Sequence, residues 1–203
     1  MKKTDVINLI QISDCHLGSK KAYVSNGVNT YDSFKKVLCE IKKKFGSSLI
    51  IVSGDISASG AKTSYQLFSD TMDKEGIPYR WLPGNHDDLH LMSNIISQQF
   101  IRVEKHDNWV IISLISCDSK NVEGFLAKNE IEELEFLLKK YKDRYILLFV
   151  HHPPASINSE WLDKHRITNS GKLKTILSGH LNVKGIFTGH VHQERATDWG
   201  NLI

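Results

Sequence analysis

Short apolar runs recur along the chain at Val6 to Ile12, Leu49 to Val52, Tyr79 to Leu82, Trp109 to Ile115, Tyr145 to Val150 and Val183 to Phe187. All are rich in β-branched, aliphatic or aromatic residues and too short for a helix to bury a face, so they predict mostly buried strands. Between them the apolar spacing changes to the helical period. Phe34, Val37, Leu38, Ile41 and Phe45 share one face, as do Leu89, Met92, Ile95 and Ile96, and again Ile131, Leu134, Leu137, Leu138 and Tyr141. Alternating strands and helices predict a layered α/β architecture.

Local stop and start signals agree with this reading. Asn29 or Thr30 can cap the first helix and Gly46 can end it, while Asn169 or Ser170 can open a late helix that Gly179 ends. Pro78, Pro83, Pro153 and Pro154 all stand beside strand ends, where they stiffen loops without breaking a helix. Ala196 to Trp199 reads as a further strand, Gly200-Asn201 as a two-residue turn and Leu202-Ile203 as a returning strand that stops, so a C-terminal segment is expected to be missing.

Composition narrows the class. The 203 residues suit a single domain over 1–203, and 40% hydrophobic with 24% charged residues are ordinary globular values. The net charge of +3 owes much to Lys-rich helix faces such as Lys42, Lys43 and Lys44, which read as solvated surface and not as a nucleic-acid footprint. Cys15, Cys39 and Cys117 are odd in number and unpaired in spacing, which fits a reducing cytoplasm and no disulfide framework. No run reaches the length of a membrane span and no signal peptide is present.

The chemistry is written at the strand ends, where open α/β sheets gather their ligands. Five motifs fall there: Asp14-Cys15-His16, Gly54-Asp55, Gly84-Asn85-His86-Asp87, His151-His152-Pro153-Pro154 and Gly189-His190-Val191-His192. Their Asp, Asn and His donors suit borderline divalent metals. The spacing of two in Asp14/His16 and in His190/His192 predicts paired donors on one side of an extended backbone, with Cys15 packing away and Val191 facing the core. Asp55, behind a glycine that permits a sharp turn, can bridge two ions with its two oxygens. Asn85 offers a neutral oxygen donor. His86 is expected at the rim as a proton donor, and Asp87 either orients it or, by preference, caps the next helix. His151 is the expected ligand of its pair, with His152 behind it or in the core; His90 reads as solvated helix face and His180 as a helix terminus.

These five motifs in this order make the chain resemble the calcineurin-like metallophosphoesterase superfamily, and within it the bacterial class III 3′,5′-cyclic AMP phosphodiesterases. Further similarity lies in Gly27-Val28-Asn29-Thr30, Trp81-Leu82-Pro83 and Trp161-Leu162-Asp163-Lys164-His165. The resemblance implies a sandwich of two mixed β-sheets flanked by helices, here lacking C-terminal strands that can contribute to a homodimer. It implies one ion held by Asp14, His16, Asp55 and His192 and a second by Asp55, Asn85, His151 and His190, with iron or manganese expected and zinc or cobalt acceptable. His16, Asp55, Asn85, His86 and His192 would also contact a small nucleotide. The implied reaction is hydrolysis of 3′,5′-cyclic AMP to 5′-AMP by in-line attack of a hydroxide generated at the metals, with His86 protonating the departing 3′ oxygen. The same scaffold also serves nucleotide pyrophosphatases, glycerophosphodiesterases and nucleases, and a catalytically impaired metal-binding scaffold is the alternative from outside the enzymes.

Overall fold

The computed structural model describes residues 8–46, 48–117 and 121–200. The chain forms two compact units that divide between Phe100 and Ile101.

The first unit opens with β1 (Leu9–Ile12), a hairpin of β2 (Val24–Ser25) and β3 (Val28–Asn29), and α1 (Thr30–Phe45). It continues through β4 (Leu49–Ser53), α2 (Lys62–Glu75), β5 (Tyr79–Leu82) and α3 (Leu89–Ile95). Strands β1, β4 and β5 lie side by side and parallel. The central strand β4 is buried along its whole length, which explains its unbroken apolar run. Phe34, Leu38 and Ile41 of α1, Tyr65, Phe68 and Met72 of α2, and Trp81 of β5 fill the core with β4. Asn29 caps α1 by accepting from the Asp32 N–H, and Gly46 closes it. Val37 and Phe45, expected on the buried face of α1, are exposed, as is Leu89 on α3.

Two elements of this unit escaped the sequence reading. Helix α2 buries Tyr65, Phe68 and Met72 at helical spacing, but polar residues interrupt its apolar stripe. The β2–β3 hairpin turns on Asn26-Gly27, both at positive φ, as a two-residue primed turn requires.

The second unit contains β6 (Val103–His106), β7 (Trp109–Leu114), α4 (Lys128–Lys140), β8 (Tyr145–Val150), a 3₁₀ turn (Leu162–His165), α5 (Ser170–Ser178) and β9 (Val183–Phe187). Its sheet runs β6-β7-β8-β9 and is mixed, because β6 pairs antiparallel with β7 while β7, β8 and β9 are parallel. Strand β6 was not expected; its mixed polar sequence carries little strand signal. Leu134, Leu137 and Leu138 of α4 and Leu173 and Leu177 of α5 pack with Val110, Ile112, Leu148 and Val150 of the sheet. Burying each such side chain stabilises the fold by about 1.5–3 kcal/mol.

Asn169 stands at the N-terminus of α5, yet its side chain does not cap the helix. It bonds the Leu126 N–H and C=O instead, at 3.0 and 2.8 Å, tying two loops together. The segment Ala196 to Trp199, expected as a strand, is irregular; Asn201, Leu202 and Ile203 of the expected returning hairpin, like Val6 and Ile7 of the first run, lie outside the described residues. Among the described residues no helix is long and apolar enough to cross a membrane.

Candidate functional site

In the first unit the donor loops leave the ends of neighbouring parallel strands. The β1–β4 pairing continues past both strands through backbone bonds: Asp14 N–H to Gly54 C=O, His16 N–H to Asp55 C=O and Leu17 N–H to Ile56 C=O, all 2.8–3.0 Å. The two loops are thus zipped together, and Asp14, His16 and Asp55 are set by main chain.

The expected extended backbone at Asp14 and His16 is absent. Both are left-handed, with φ of 55° and 42°, and so are Asp55 at 51°, His190 at 70° and His192 at 51°. Eight described non-glycine residues adopt positive φ, and five of them are expected metal donors. Such conformations cost of order 1 kcal/mol or more and persist where surrounding structure over-determines them, most often at functional sites. Paired donors share a side here through left-handed turns, and not through a strand's pleat.

Asp55 is buried. Its Oδ1 accepts the His86 N–H at 2.9 Å, and its Oδ2 lies 3.7 Å from His16 Nε2, which also stands 3.9 Å from Asp14 Oδ1. These gaps are too long for hydrogen bonds. Donor atoms bound about 2.1 Å from one ion sit roughly 3–4 Å apart, so the spacing fits a shared divalent cation. One ligand atom each from His16, Asp55 and His86 also lie within 4.8 Å of one another. The site tolerates no side chain at Gly84, where a Cβ would stand 2.2 Å from Asp55 Oδ1. Cys15 packs on the core as expected, and burial, then the carboxylates of Asp14, Asp87 and Asp55, push its thiol far up from the usual range.

His86 is exposed at the rim, with Nδ1 2.9 Å from the Ala58 carbonyl and its ring edge-on to His16 at 4.9 Å. Asp87 has a different role from either expected one. Asp88 caps α3, accepting the Leu91 N–H at 2.9 Å. Asp87 is buried, and its Oδ1 accepts from the Ser57 N–H and the Tyr65 hydroxyl while Oδ2 accepts from the Ile56 and Gly84 N–H groups. It therefore locks the Asp55 loop to the Asn85 loop. Burial, then the Asp55 charge, raise its carboxyl to about 6 against the pull of those N–H groups. His90 lies exposed on α3, as expected.

In the second unit His151 follows β8 directly and is fully buried. The loop after β9 is tied to it by the Gly189 N–H to His151 C=O bond of 3.0 Å. One ligand atom each from His151, His152 and His190 lie within 4.8 Å of one another. His152, however, has both ring nitrogens engaged. Nε2 lies 3.1 Å from the Val122 carbonyl and must donate to it, so Nδ1 accepts the Ser116 hydroxyl at 2.8 Å and no lone pair remains for a metal. The geometry thus favours His151, whose backbone and ring His152 supports from behind. A Cβ at Gly124 would come within 2.5 Å of His152 Cβ, so this packing is equally tight.

His190 is half-buried and His192 exposed, while Val191, expected in the core, is half-buried and outside it. Its N–H turns back to the Gly189 carbonyl at 2.8 Å, a tight turn where a strand residue would have faced inward. His180 closes α5, as expected. Ser116 carried no sequence signal: one serine after a strand is common, and only the fold sets it against His152.

A family model described as calcineurin-like phosphoesterase matches residues 7–194. The 3′,5′-cyclic adenosine monophosphate phosphodiesterase CpdA of Haemophilus influenzae is 34% identical over 199 residues, covering 96% of this chain and 73% of that protein. A probable glycerophosphodiester phosphodiesterase GpdQ of Arcobacter nitrofigilis is 30% identical over 205 residues, covering 96% and 75%. A dimetal phosphatase from Danio rerio superposes with a TM-score of 0.74 over 97% of this chain and 85% of that one; at 13% identity it bears on the fold alone. With its motifs, its architecture and nearly its full length matched, the chain belongs to the calcineurin-like phosphoesterase family.

Proposed function

We propose that the protein is a cyclic nucleotide phosphodiesterase that opens 3′,5′-cyclic AMP to 5′-AMP with two divalent ions. Asp14, His16, Asp55 and His192 would hold one ion and Asp55, Asn85, His151 and His190 the other, with Asp55 bridging. The observation that carries this reading is the left-handed backbone at Asp14, His16, Asp55, His190 and His192. Strain concentrated on five donors has a reason if those donors must point at metal. The CpdA relative supports the choice of substrate, and the three free cysteines suit a reducing compartment.

When bound, the ions supply Lewis acidity at a phosphoryl oxygen and lower the pKa of water. The chain's own residues do the rest. Asp55 is held by the His86 N–H and by Gly84 so that its oxygens stay aimed. The Ala58 carbonyl fixes His86 through Nδ1, leaving Nε2 to carry the proton given to the departing 3′ oxygen. His16, Asp55, Asn85, His86 and His192 would contact the phosphate.

The test is a metal-reconstituted panel of cyclic AMP, cyclic GMP, a bis-aryl phosphodiester, glycerophosphoethanolamine and an aryl monoester, run with metal analysis of the same samples. Cyclic AMP as the preferred substrate with close to two ions per chain is expected. Hydrolysis of the monoester alone would sink the reading. Preference for glycerophosphoethanolamine would favour the second reading, a glycerophosphodiesterase, which the GpdQ relative supports.

A further inference from the structure

Trp161 is 67% exposed, an unusual setting for so large an apolar side chain. Single exposed hydrophobic residues are common and need no explanation. This one differs in two respects. Its loop is clasped, and its ring begins a run of rings that leads to His190.

The clasp is Asp163. Its carboxylate accepts the Ser156 hydroxyl at 2.6 Å and the Ile157 N–H at 2.8 Å, its own N–H bonds the Ser159 carbonyl at 2.8 Å, and its carbonyl accepts from Arg166 Nε at 3.1 Å. The Ser156 and Ile157 bonds hold the carboxyl below its usual range, so the clasp stays charged at neutral pH. Ile157 anchors the loop in the interior, and the Ile167 N–H bonds the Pro153 carbonyl. The indole is therefore presented by an ordered segment. The Trp161 and His165 rings stand 4.9 Å apart, and His165 and His190 stand 5.9 Å apart.

We propose that Trp161 is the stacking platform for the purine base of the nucleotide substrate. This rests on the cyclic-nucleotide reading: with the phosphate at His190, the ribose and base extend from it, and Trp161 and His165 offer the nearest open aromatic faces in this unit. Stacking a base on an indole needs no hydrogen-bond code and favours the larger purine π-face. An indole exposed to water on a clasped loop gives up little conformational freedom when the base covers it.

The test compares the metal-loaded wild type with W161A and W161F on cyclic AMP and on the base-free analogue 1-O-methylribose 3′,5′-cyclic phosphate. W161A should raise KM for cyclic AMP roughly 5- to 100-fold with kcat little changed, leave the base-free analogue unaffected, and be largely rescued in W161F. In parallel, 5′-AMP should quench indole fluorescence in the wild type, and W161F should lose that quench while still binding 5′-AMP. Equal losses on both substrates, no loss on either, or an unchanged quench in W161F would overturn the proposal. If the wild type hydrolyses no cyclic nucleotide, the functional reading fails, and the 5′-AMP titration alone still decides the role of Trp161.

Discussion

Gly84 lies so close to Asp55 that a single methyl group tests how the site is built. A Cβ there would stand 2.2 Å from Asp55 Oδ1, 2.5 Å from its backbone N and 2.8 Å from Cγ. The backbone of Asp55 cannot easily retreat, because its carbonyl accepts the His16 N–H at 2.9 Å and its neighbours are bonded on both sides. Relief must come from a shift of the Gly84 loop or from rotation of the carboxylate, which breaks the 2.9 Å bond from the His86 N–H. Overpacking costs roughly 1–3 kcal/mol and losing a hydrogen bond to a buried carboxylate about 1.5–3 kcal/mol, so G84A should destabilise by roughly 3–5 kcal/mol. Urea unfolding followed by circular dichroism measures this, with the slope m expected to stay constant. The matched control is G171A. Gly171 lies in α5 with open space around its Cα, so the same methyl should stabilise by up to about 1 kcal/mol. The functional readout is metal content, which should fall in G84A alone. A G84A protein with wild-type stability and metal content would refute the claim that Asp55 is aimed by close packing.

Replacing His151 by Ala should abolish binding of one ion, whereas H152A should keep the metal and lose about 2–4 kcal/mol of stability; metal analysis beside urea unfolding separates the two. In Asp87→Asn, whichever oxygen becomes the amide nitrogen, two of the four donors lose their acceptor. Set against relief of the buried charge, a net loss of roughly 1–3 kcal/mol is expected by denaturant titration. Replacing His86 by Ala should slow turnover of cyclic AMP about 10²- to 10⁴-fold and leave metal content intact; loss of metal in that variant would make His86 a ligand instead of the proton donor.

The strands were legible where their burial was simple. β4, β5, β8 and β9 are apolar runs packed into a core, and their bounds agree with the sequence reading to within a residue. Helix α2 and strand β6 were not, because partners distant in sequence bury them and their own polar residues mask the period. The donor motifs were legible as residue types, yet the mechanism of their positioning was misread. An extended strand end was the natural assumption for a spacing of two; the loops instead zip together beyond the strands and force the donors into left-handed turns. Asp87 was misread for a related reason. As a residue just before a helix it looked like a cap, and Asp88 does that work while Asp87 turns inward to donors some 30 residues earlier in the chain.

The sequence by itself determined the α/β class, the donor chemistry and the place of each donor at a strand end, because hydrophobic period and residue type are local properties. Only the tertiary structure decided which oxygens and nitrogens remain available. His152 is removed from the set by Ser116 and Val122, Asp87 by four donors from two loops and a helix, and Asp55 is aimed by the absence of a side chain at Gly84. The reason is physical: a donor is defined by its lone pair, and whether that lone pair is already spent depends on neighbours that no local pattern records.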